Sequence, residues 1–288
     1  MTDDTPTVPP IDYALRWRQI VEARRVHMDA LYARVGRDTS NYWAGRSEFF
    51  RPSVQRQEGP DAFLATVYDL LTPEMTVLDV GAGGGRYAIP LTAHAREVVA
   101  VEPALPMVQV MREEAERAGV ANLRIVPTDW LSAEVETADV VICSHVIYPL
   151  DDVAPFLLKL NQIGRARCLL YLNAGQPPWE LSELWRRFHD QPMRPQPTYI
   201  DAYNVLHQLG IYADVRMVTF MRRSYLGAPT FEAAVARFRD QLVLDDSPET
   251  TERLHTALRE TLVEGPDGWS LPARAAEAAI ISWTPRPL

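Results

Sequence analysis

The sequence has few of the features that mark secreted, membrane-spanning or metal-binding proteins. Its two cysteines, Cys143 and Cys168, lie in apolar runs without His or Cys neighbours at metal-ligand spacing. We therefore expect buried free thiols in a reducing compartment. No apolar run reaches membrane-spanning length, and the acidic start "MTDDTPTVPP" does not resemble a secretory signal. These absences predict a cytoplasmic protein with no membrane partner.

Lysine is almost absent, because Lys159 is the only lysine among 29 basic residues. The arginines are scattered along the chain, and the net charge is -9. Such a chain lacks the electrostatic footprint with which proteins hold phosphate backbones. We therefore expect no nucleic-acid partner.

Short apolar runs alternate with helical stretches between residues 73 and 175. The pattern predicts strands at 76–80, 97–101, 123–127, 138–143 and 167–172, with helices near 85–93, 104–118 and 151–163. The runs "DVVICS" and "RCLLYL" are apolar without alternation, as in strands covered on both faces. The predicted fold is α/β, a doubly wound, Rossmann-like and mostly parallel sheet.

Helical segments are expected on both sides of this region. Residues 1–58 are interpreted as an N-terminal helical extension or lid, and residues 59–288 as the main domain. After residue 173 the pattern predicts a helix over 198–209 and two more strands, in "YADVRMVTFMRRSYL" and "AEAAIISWTP", which complete a seven-stranded sheet. About fifty residues separate those two strands, too many for a hairpin loop. We therefore expect a helical insertion at about 228–268.

The stretch "VLDVGAGGGRYAIPL" places Gly81, Gly83 and Gly85 between a predicted strand and a predicted helix. Glycine allows sharp turns and close approach of a ligand to the backbone. Glu102 ends the next strand, where a carboxylate can accept hydrogen bonds from both ribose hydroxyls. Together these residues predict an adenosine site at the carboxyl edge of the sheet.

The spacing of the loop distinguishes between nucleotide cofactors. A dinucleotide fingerprint needs Gly or Ala at position 86, where this chain has Arg86. Asp79, two residues before the first glycine, would repel a pyrophosphate but suits a ligand with positive charge. An NAD(P)-dependent oxidoreductase stays as one alternative function, and a non-catalytic binding or regulatory module of the same fold as another.

Four motifs in this order resemble those of class I S-adenosylmethionine-dependent methyltransferases. "LDVGAGGGR" is similar to their first motif and "VVAVEP" to their second-strand acid. "VPTDWL" is similar to the segment with the acid after the third strand, and "VVICSHVIYPL" to the fourth strand and its substrate-facing end. The resemblance covers residues 60–175 and implies S-adenosylmethionine as the cofactor.

The resemblance also implies roles for single residues around the cofactor. Asp79 would lie near the ammonium group, and Glu102 would hold the ribose. Four loop residues would surround the amino acid portion: Gly81, Ala82, Gly83 and Gly85.

The adenine would be bound by residues that follow the second and third strands. Pro103 and Met107 would pack near the ring, and Asp129 would accept a hydrogen bond from its amino group. Trp130 would donate its backbone amide or flank the ring. A lid formed by Tyr42 and Trp43 would close the pocket.

Chemistry is expected at the end of the fourth strand, from Ser144 to Tyr148, with Ser144 contacting the cofactor. Methyl transfer mainly requires positioned partners, and a base helps only when the nucleophile must lose a proton. His145 is the candidate base, with packing near the cofactor as its alternative role, and Tyr148 would orient the acceptor or line the pocket. His145 and Asn173 stand where magnesium-dependent members have acidic ligands, so no metal is expected.

Two motifs of the family that bind other acceptors are absent. The chain lacks the N-P-P-Y or D-P-P-Y type of sequence used for exocyclic amines, and the Pro-Cys pair used on cytosine. Together with the acidic net charge, this predicts a small organic acceptor that is methylated on O, N or C.

Overall fold

A seven-stranded sheet forms the centre of the part of the chain that the computed structural model describes, residues 11–37, 61–176, 179–222, 227–266 and 268–287. The spatial order of its strands is β3-β2-β1-β4-β5-β9-β6, and β9 alone runs antiparallel to its neighbours. The strands are β1 (Thr76–Val80), β2 (Glu97–Val101), β3 (Leu123–Val126), β4 (Ala138–Ser144), β5 (Gly164–Asn173), β6 (Asp214–Arg222) and β9 (Arg274–Trp283). The predicted mostly parallel α/β sheet is confirmed.

Helices cover both faces of this sheet. The described helices are α1 (Tyr13–Arg34), α2 (Ala62–Tyr68), α3 (Ala88–Leu91), α4 (Leu105–Arg117), α5 (Ala154–Ile163), α6 (Trp179–Phe188), α7 (Tyr199–Gln208), α8 (Phe231–Gln241) and α9 (Pro248–Thr261). None of them is both long and apolar enough to cross a bilayer.

Alternate residues of the inner strands pack into two separate cores. Leu78 on β1 joins a cluster with Trp17 of α1 and Phe156 of α5. Its neighbour Val77 joins the opposite cluster, which includes Phe63 of α2. Because successive strand residues point to opposite faces, apolar residues at every position stabilise both layers, by about 1.5–3 kcal/mol for each fully buried side chain.

The N-terminal helix α1 is part of the main core. Trp17 is 1% exposed, and its indole Nε1 donates to the carbonyl oxygen of Leu150 at 2.8 Å. Residues 38–60 lie outside the described part of the chain. The division into 1–58 and 59–288 therefore stays a prediction.

The helix after the glycine loop is shorter than the predicted 85–93. It spans Ala88–Leu91, because Gly85 has a φ of +88° and the chain before it remains in turns. The helix predicted at 151–163 starts at Ala154, with Pro155 in its first turn, where the missing N–H needs no partner.

The insertion between β6 and β9 contains α8, α9 and a small hairpin that the sequence analysis missed. The hairpin pairs β7 (Val263–Gly265) with β8 (Gly268–Ser270). The sequence "EGPDGW" carried a signal for it, because Pro-Asp-Gly is typical of a turn. Gly268 has a φ of +99°, and a Cβ there would lie 2.1 Å from the carbonyl oxygen of Ala228.

Candidate functional site

The glycine loop is tied to the carboxyl end of β2. The amides of Gly81 and Ala82 both donate to the carbonyl oxygen of Val101, at 2.8 and 3.1 Å. Gly81 has a φ of +73°, and a Cβ there would lie 2.2 Å from Cγ2 of Val146. Only glycine satisfies both conditions. The glycine loop therefore packs closely between the carboxyl ends of β1, β2 and β4.

Asp79 is a buried carboxylate with an unused oxygen. Its side chain is 1% exposed, and Oδ2 has no hydrogen-bond partner among the described residues. Burial, and then the negative charge of Glu102, raise the pKa of Asp79 to about 7, against a lowering effect of the Ala88 amide. Buried polar atoms normally have partners. This open oxygen, the Oδ2 atom that lacks a hydrogen-bond partner, therefore indicates a binding position for a hydrogen-bond donor or a cation.

Glu102 lies at the end of β2 with both carboxylate oxygens oriented by backbone amides. Oε2 accepts from the amide of Gly83 at 2.9 Å, and Oε1 accepts from the amide of Ala104 at 2.8 Å. Burial raises the pKa of Glu102, and these two amides oppose the rise. Each oxygen keeps acceptor capacity for a further donor. The carboxylate is thus fixed and still able to bind hydroxyls.

The residues expected near the adenine differ in their exposure. Met107 is buried, with its Cε 3.3 Å from where a Cβ on Gly83 would stand, whereas Pro103 is exposed. Asp129 is exposed and accepts from the amide of Ser132 at 3.0 Å, and this hydrogen bonding to Ser132 lowers its pKa. Met107 therefore lies against the glycine loop, and Asp129 is anchored in a turn after β3.

Trp130 packs in the core next to the predicted site. Its side chain is 4% exposed, and its indole Nε1 donates to the carbonyl oxygen of Phe156 at 3.2 Å. The ring packs in the core. Donation from the backbone amide agrees with this burial, and both predicted roles of Trp130 stay predictions.

His145 follows β4 in a strained conformation. Its φ is +57°, in the left-handed region that costs most L-residues about 1–2 kcal/mol. Its amide donates to the carbonyl oxygen of Tyr171 at 2.9 Å, and the two rings lie 4.9 Å apart. Strained residues cluster at functional sites, which agrees with the predicted location of the chemistry.

Tyr148 connects His145 to the neighbouring strand. The Tyr148 hydroxyl lies 3.0 Å from Nδ1 of His145, and it accepts from the amide of Asn173 at 2.7 Å. The imidazole is therefore oriented by β5 through Tyr148. The half-buried Ser144 lies just before this group, and its hydroxyl is hydrogen-bonded to that of Tyr87.

Sequence reasoning missed two residues beside the loop: Tyr87 and Tyr171. Tyr171 stacks on Phe63 with a centroid distance of 4.8 Å and an interplanar angle of 5°. Phe63 also makes an edge contact with Tyr87 at 5.1 Å. The sequence could have indicated these residues only by their positions, because Tyr87 comes soon after the glycines and Tyr171 lies near the end of a predicted strand.

Some predicted residues are not placed by the structure. Tyr42 and Trp43 lie outside the described residues, so their lid role stays a prediction. Across the described ranges, no group of three or more His, Cys, Asp or Glu side chains is arranged to hold a metal ion.

Comparisons with known proteins identify the domain. Residues 78–172 match the family described as a methyltransferase domain. Over 98 residues the chain is 34% identical to the ubiquinone biosynthesis O-methyltransferase of Methylocella silvestris, covering 34% of this chain and 38% of that protein. Over 80 residues it is 38% identical to the 23S rRNA (uracil(1939)-C(5))-methyltransferase of Stenotrophomonas maltophilia, covering 27% of this chain and 18% of that protein.

The fold matches that of a solved structure. The crystal structure of the YcgJ protein from Bacillus subtilis aligns with a TM-score of 0.52 at 16% identity, over 78% of this chain and 98% of that chain. The chain contains a class I S-adenosylmethionine-dependent methyltransferase domain. The cofactor that the sequence predicts for such a domain is S-adenosylmethionine. The sequence matches span less than half of either curated relative.

The residues present fit this cofactor. The open oxygen of Asp79 suits a cationic group, and Gly81 lets the loop pack directly against Val146, where a side chain would clash. Glu102 presents two fixed acceptors at the end of β2, the usual place for a ribose-binding acid.

Proposed function

We propose that this protein transfers a methyl group from S-adenosylmethionine to a small organic acceptor. The observation that carries the proposal is the buried Asp79, whose open oxygen lies beside the glycine loop on the strand next to β4. Asp79 pairs in register with Ile142, three residues before His145. The ammonium site and the candidate base therefore belong to adjacent strand ends.

Each cofactor residue has a role in this proposal. Asp79 binds the ammonium group, which repays the cost of its buried charge. Glu102 accepts from the ribose hydroxyls, and the backbone of the four loop residues lies against the amino acid portion: Gly81, Ala82, Gly83 and Gly85. Pro103 and Met107 pack near the adenine, and Asp129 accepts from its amino group.

The sulfonium supplies an electrophilic methyl group when the cofactor is bound. His145 then removes a proton from the acceptor, and Tyr148 holds the imidazole in position. Two tautomers satisfy the contact between Nδ1 and the Tyr148 hydroxyl. If Nδ1 carries the proton, Nε2 is the basic atom. If the hydroxyl donates to Nδ1, Nε2 donates a hydrogen bond and orients the acceptor.

A small acceptor with an acidic hydroxyl group suits this geometry best. A base matters when the nucleophile must lose a proton, as phenols and alcohols do. The net charge of -9 disfavours an RNA acceptor, and the O-methyltransferase relative supports attack by oxygen. Both cysteines, Cys143 and Cys168, are buried and free, which supports a reducing, cytoplasmic location.

The site argues against a dinucleotide cofactor. Arg86 occupies the position of the third glycine, and its guanidinium donates to Oδ2 of Asp61 at 3.0 Å. A pyrophosphate on this loop would also approach the carboxylate of Asp79. A non-catalytic module of this fold would bind the same cofactor. It differs from the proposed enzyme only because it transfers no methyl group.

The test is transfer of a labelled methyl group from S-adenosylmethionine across a panel of phenols, alcohols, amines and RNA. We expect labelled small-molecule product from the wild type and from a His207→Ala control, whose histidine lies on α7. Cofactor binding without transfer to any acceptor would favour the non-catalytic module. Transfer to RNA alone would contradict the small-molecule proposal.

A further inference from the structure

The connection from β3 to β4, which are separated in the sheet by β2 and β1, lacks the helix found in the connections β1–β2, β2–β3 and β4–β5. Residues 127–137 contain turns and irregular chain only, whereas α3, α4 and α5 lie in the neighbouring connections. Without a helix, the carbonyl groups of this loop need partners from outside the segment. The same loop contains Asp129, the residue that we propose accepts a hydrogen bond from the adenine amino group.

Lys159 on α5 supplies those partners. Its ammonium Nζ donates to the carbonyl oxygens of Trp130, Leu131 and Ala133 at 2.7, 3.0 and 2.7 Å. It also lies 4.7 Å from the centroid of the Trp130 ring. No described carboxylate lies within 4.0 Å of the ammonium. The positive charge of Lys159 therefore interacts with the carbonyl oxygens of this loop.

The turn held by Lys159 also contains the fixed carboxylate of Asp129. Asp129 accepts from the amide of Ser132 at 3.0 Å, and the amide of Ala133 donates to the carbonyl oxygen of Trp130 at 3.3 Å. The three carbonyls face Lys159 while the carboxylate is exposed. Displacement of the ammonium would therefore displace the segment that orients the Asp129 carboxylate.

The choice of lysine at this position fits the geometry. Lys159 is the only lysine in a chain that uses arginine for every other basic residue. An ammonium is compact and directs three donors from one atom, whereas a guanidinium is a planar fork. Three carbonyls that converge on a single point match the ammonium.

We propose that Lys159 is a positioning residue of the cofactor site, holding residues 129–133 so that Asp129 recognises the adenine amino group. This inference rests on the proposed function, because it requires the adenine to lie at Asp129. It adds a residue on α5, outside all the motifs at the strand ends, to the determinants of cofactor recognition.

The test compares two ligands by calorimetry: S-adenosylhomocysteine and its analogue with hydrogen in place of the 6-amino group. A hydrogen bond to a charged group is lost with the amino group, so the wild type should prefer S-adenosylhomocysteine by about tenfold or more. Lys159→Met keeps the aliphatic stem and should reduce that preference to less than about threefold. Lys159→Arg keeps the charge and should recover the preference only in part.

Arg167→Met is the matched control, because it also removes one positive charge. The Arg167 guanidinium donates to the hydroxyl of Thr284 at 3.3 Å. Within the described part of the chain, it forms no hydrogen bond to residues 129–133. It should keep the wild-type preference. An unchanged preference in Lys159→Met, or no preference in the wild type, would overturn the role of Lys159. Failure of the wild type to bind S-adenosylhomocysteine at all would instead overturn the proposed function and the inference with it.

A second measurement covers the case in which the variants do not fold. In wild-type protein labelled with 15N-lysine, the single Nζ signal belongs to Lys159. It should shift when S-adenosylhomocysteine is added and stay in place when methionine, which lacks the adenosine, is added. An unchanged Nζ signal at saturation with S-adenosylhomocysteine would overturn the inference.

Discussion

Replacing Asp79 by Asn should make the ligand-free protein less sensitive to pH. Asp79 is 1% exposed, and its pKa is raised to about 7 by burial and by the charge of Glu102. Asn has nearly the same shape and retains an acceptor for the Ala88 amide. The substitution therefore removes the ionisation and leaves the packing in place.

The magnitude follows from the difference between the folded and unfolded pKa values. A pKa unit corresponds to about 1.36 kcal/mol, so ionising Asp79 in the ligand-free protein costs about 4 kcal/mol. Because the folded pKa is raised, stability is fully present below the unfolded pKa and is lost as pH rises through about 7. Between pH 5 and pH 8 the wild type should lose roughly 2–3 kcal/mol relative to Asp79→Asn.

Urea denaturation of the wild type and the variant between pH 5 and pH 8 measures this loss. Asp139→Asn is the control with the opposite sign. Asp139 accepts from the amide and hydroxyl of Thr76 at 2.8 and 2.9 Å, and the Thr76 amide is the largest cause of its lowered pKa. Its contribution to stability is therefore lost only as pH falls below the ordinary pKa of Asp, so Asp139→Asn should run parallel to the wild type between pH 5 and pH 8. Parallel stability curves for the wild type and Asp79→Asn would refute the reasoning.

The same charge should couple cofactor binding to pH. A cationic ammonium near Asp79 favours the ionised carboxylate. The affinity of the wild type for S-adenosylhomocysteine should therefore rise as pH increases through about 7, while the affinity of Asp79→Asn should depend less on pH. Equal pH dependence in both proteins would separate Asp79 from the ammonium site.

Three further substitutions test the ribose and acceptor ends of the site. Glu102→Gln places an amide donor against the amides of Gly83 and Ala104, so calorimetry should show affinity for S-adenosylhomocysteine weakened by about 1–3 kcal/mol. His145→Ala should lower methyl transfer more than tenfold with little change in cofactor affinity, and Tyr148→Phe should shift the pH profile of turnover, because it removes the hydroxyl contact to Nδ1.

The Glu102→Gln substitution has a matched control. Glu97→Gln removes the same charge from the start of β2, where Glu97 pairs with Arg124 at 3.4 Å on the surface, and it should bind the cofactor normally. Normal affinity in Glu102→Gln would remove Glu102 from the ribose site. Normal turnover in His145→Ala would leave His145 with a packing role only.

The sheet was predictable because its signals are local. Strands β1 and β2 match the predicted ranges, 76–80 and 97–101, since buried parallel strands are continuous apolar runs with turn residues at their ends. The glycine loop and Glu102 were predictable for the same reason. Their roles depend on strand ends, and parallel strands bring those ends to one edge.

Features that depend on distant packing were beyond sequence reasoning. The burial of the Trp130 indole depends on Phe156, 26 residues further along the chain. The left-handed backbone of His145 depends on its contacts with Tyr171 and Tyr148. The partners of Lys159 were hidden because its three acceptors are carbonyl groups, which every residue carries.

The most direct test of the central claim is calorimetric titration of the wild-type protein with S-adenosylhomocysteine and, separately, with NADH. We expect binding of one S-adenosylhomocysteine per chain, stronger at pH 8 than at pH 6, and no heat of binding from NADH. Binding of NADH without binding of S-adenosylhomocysteine would contradict the account.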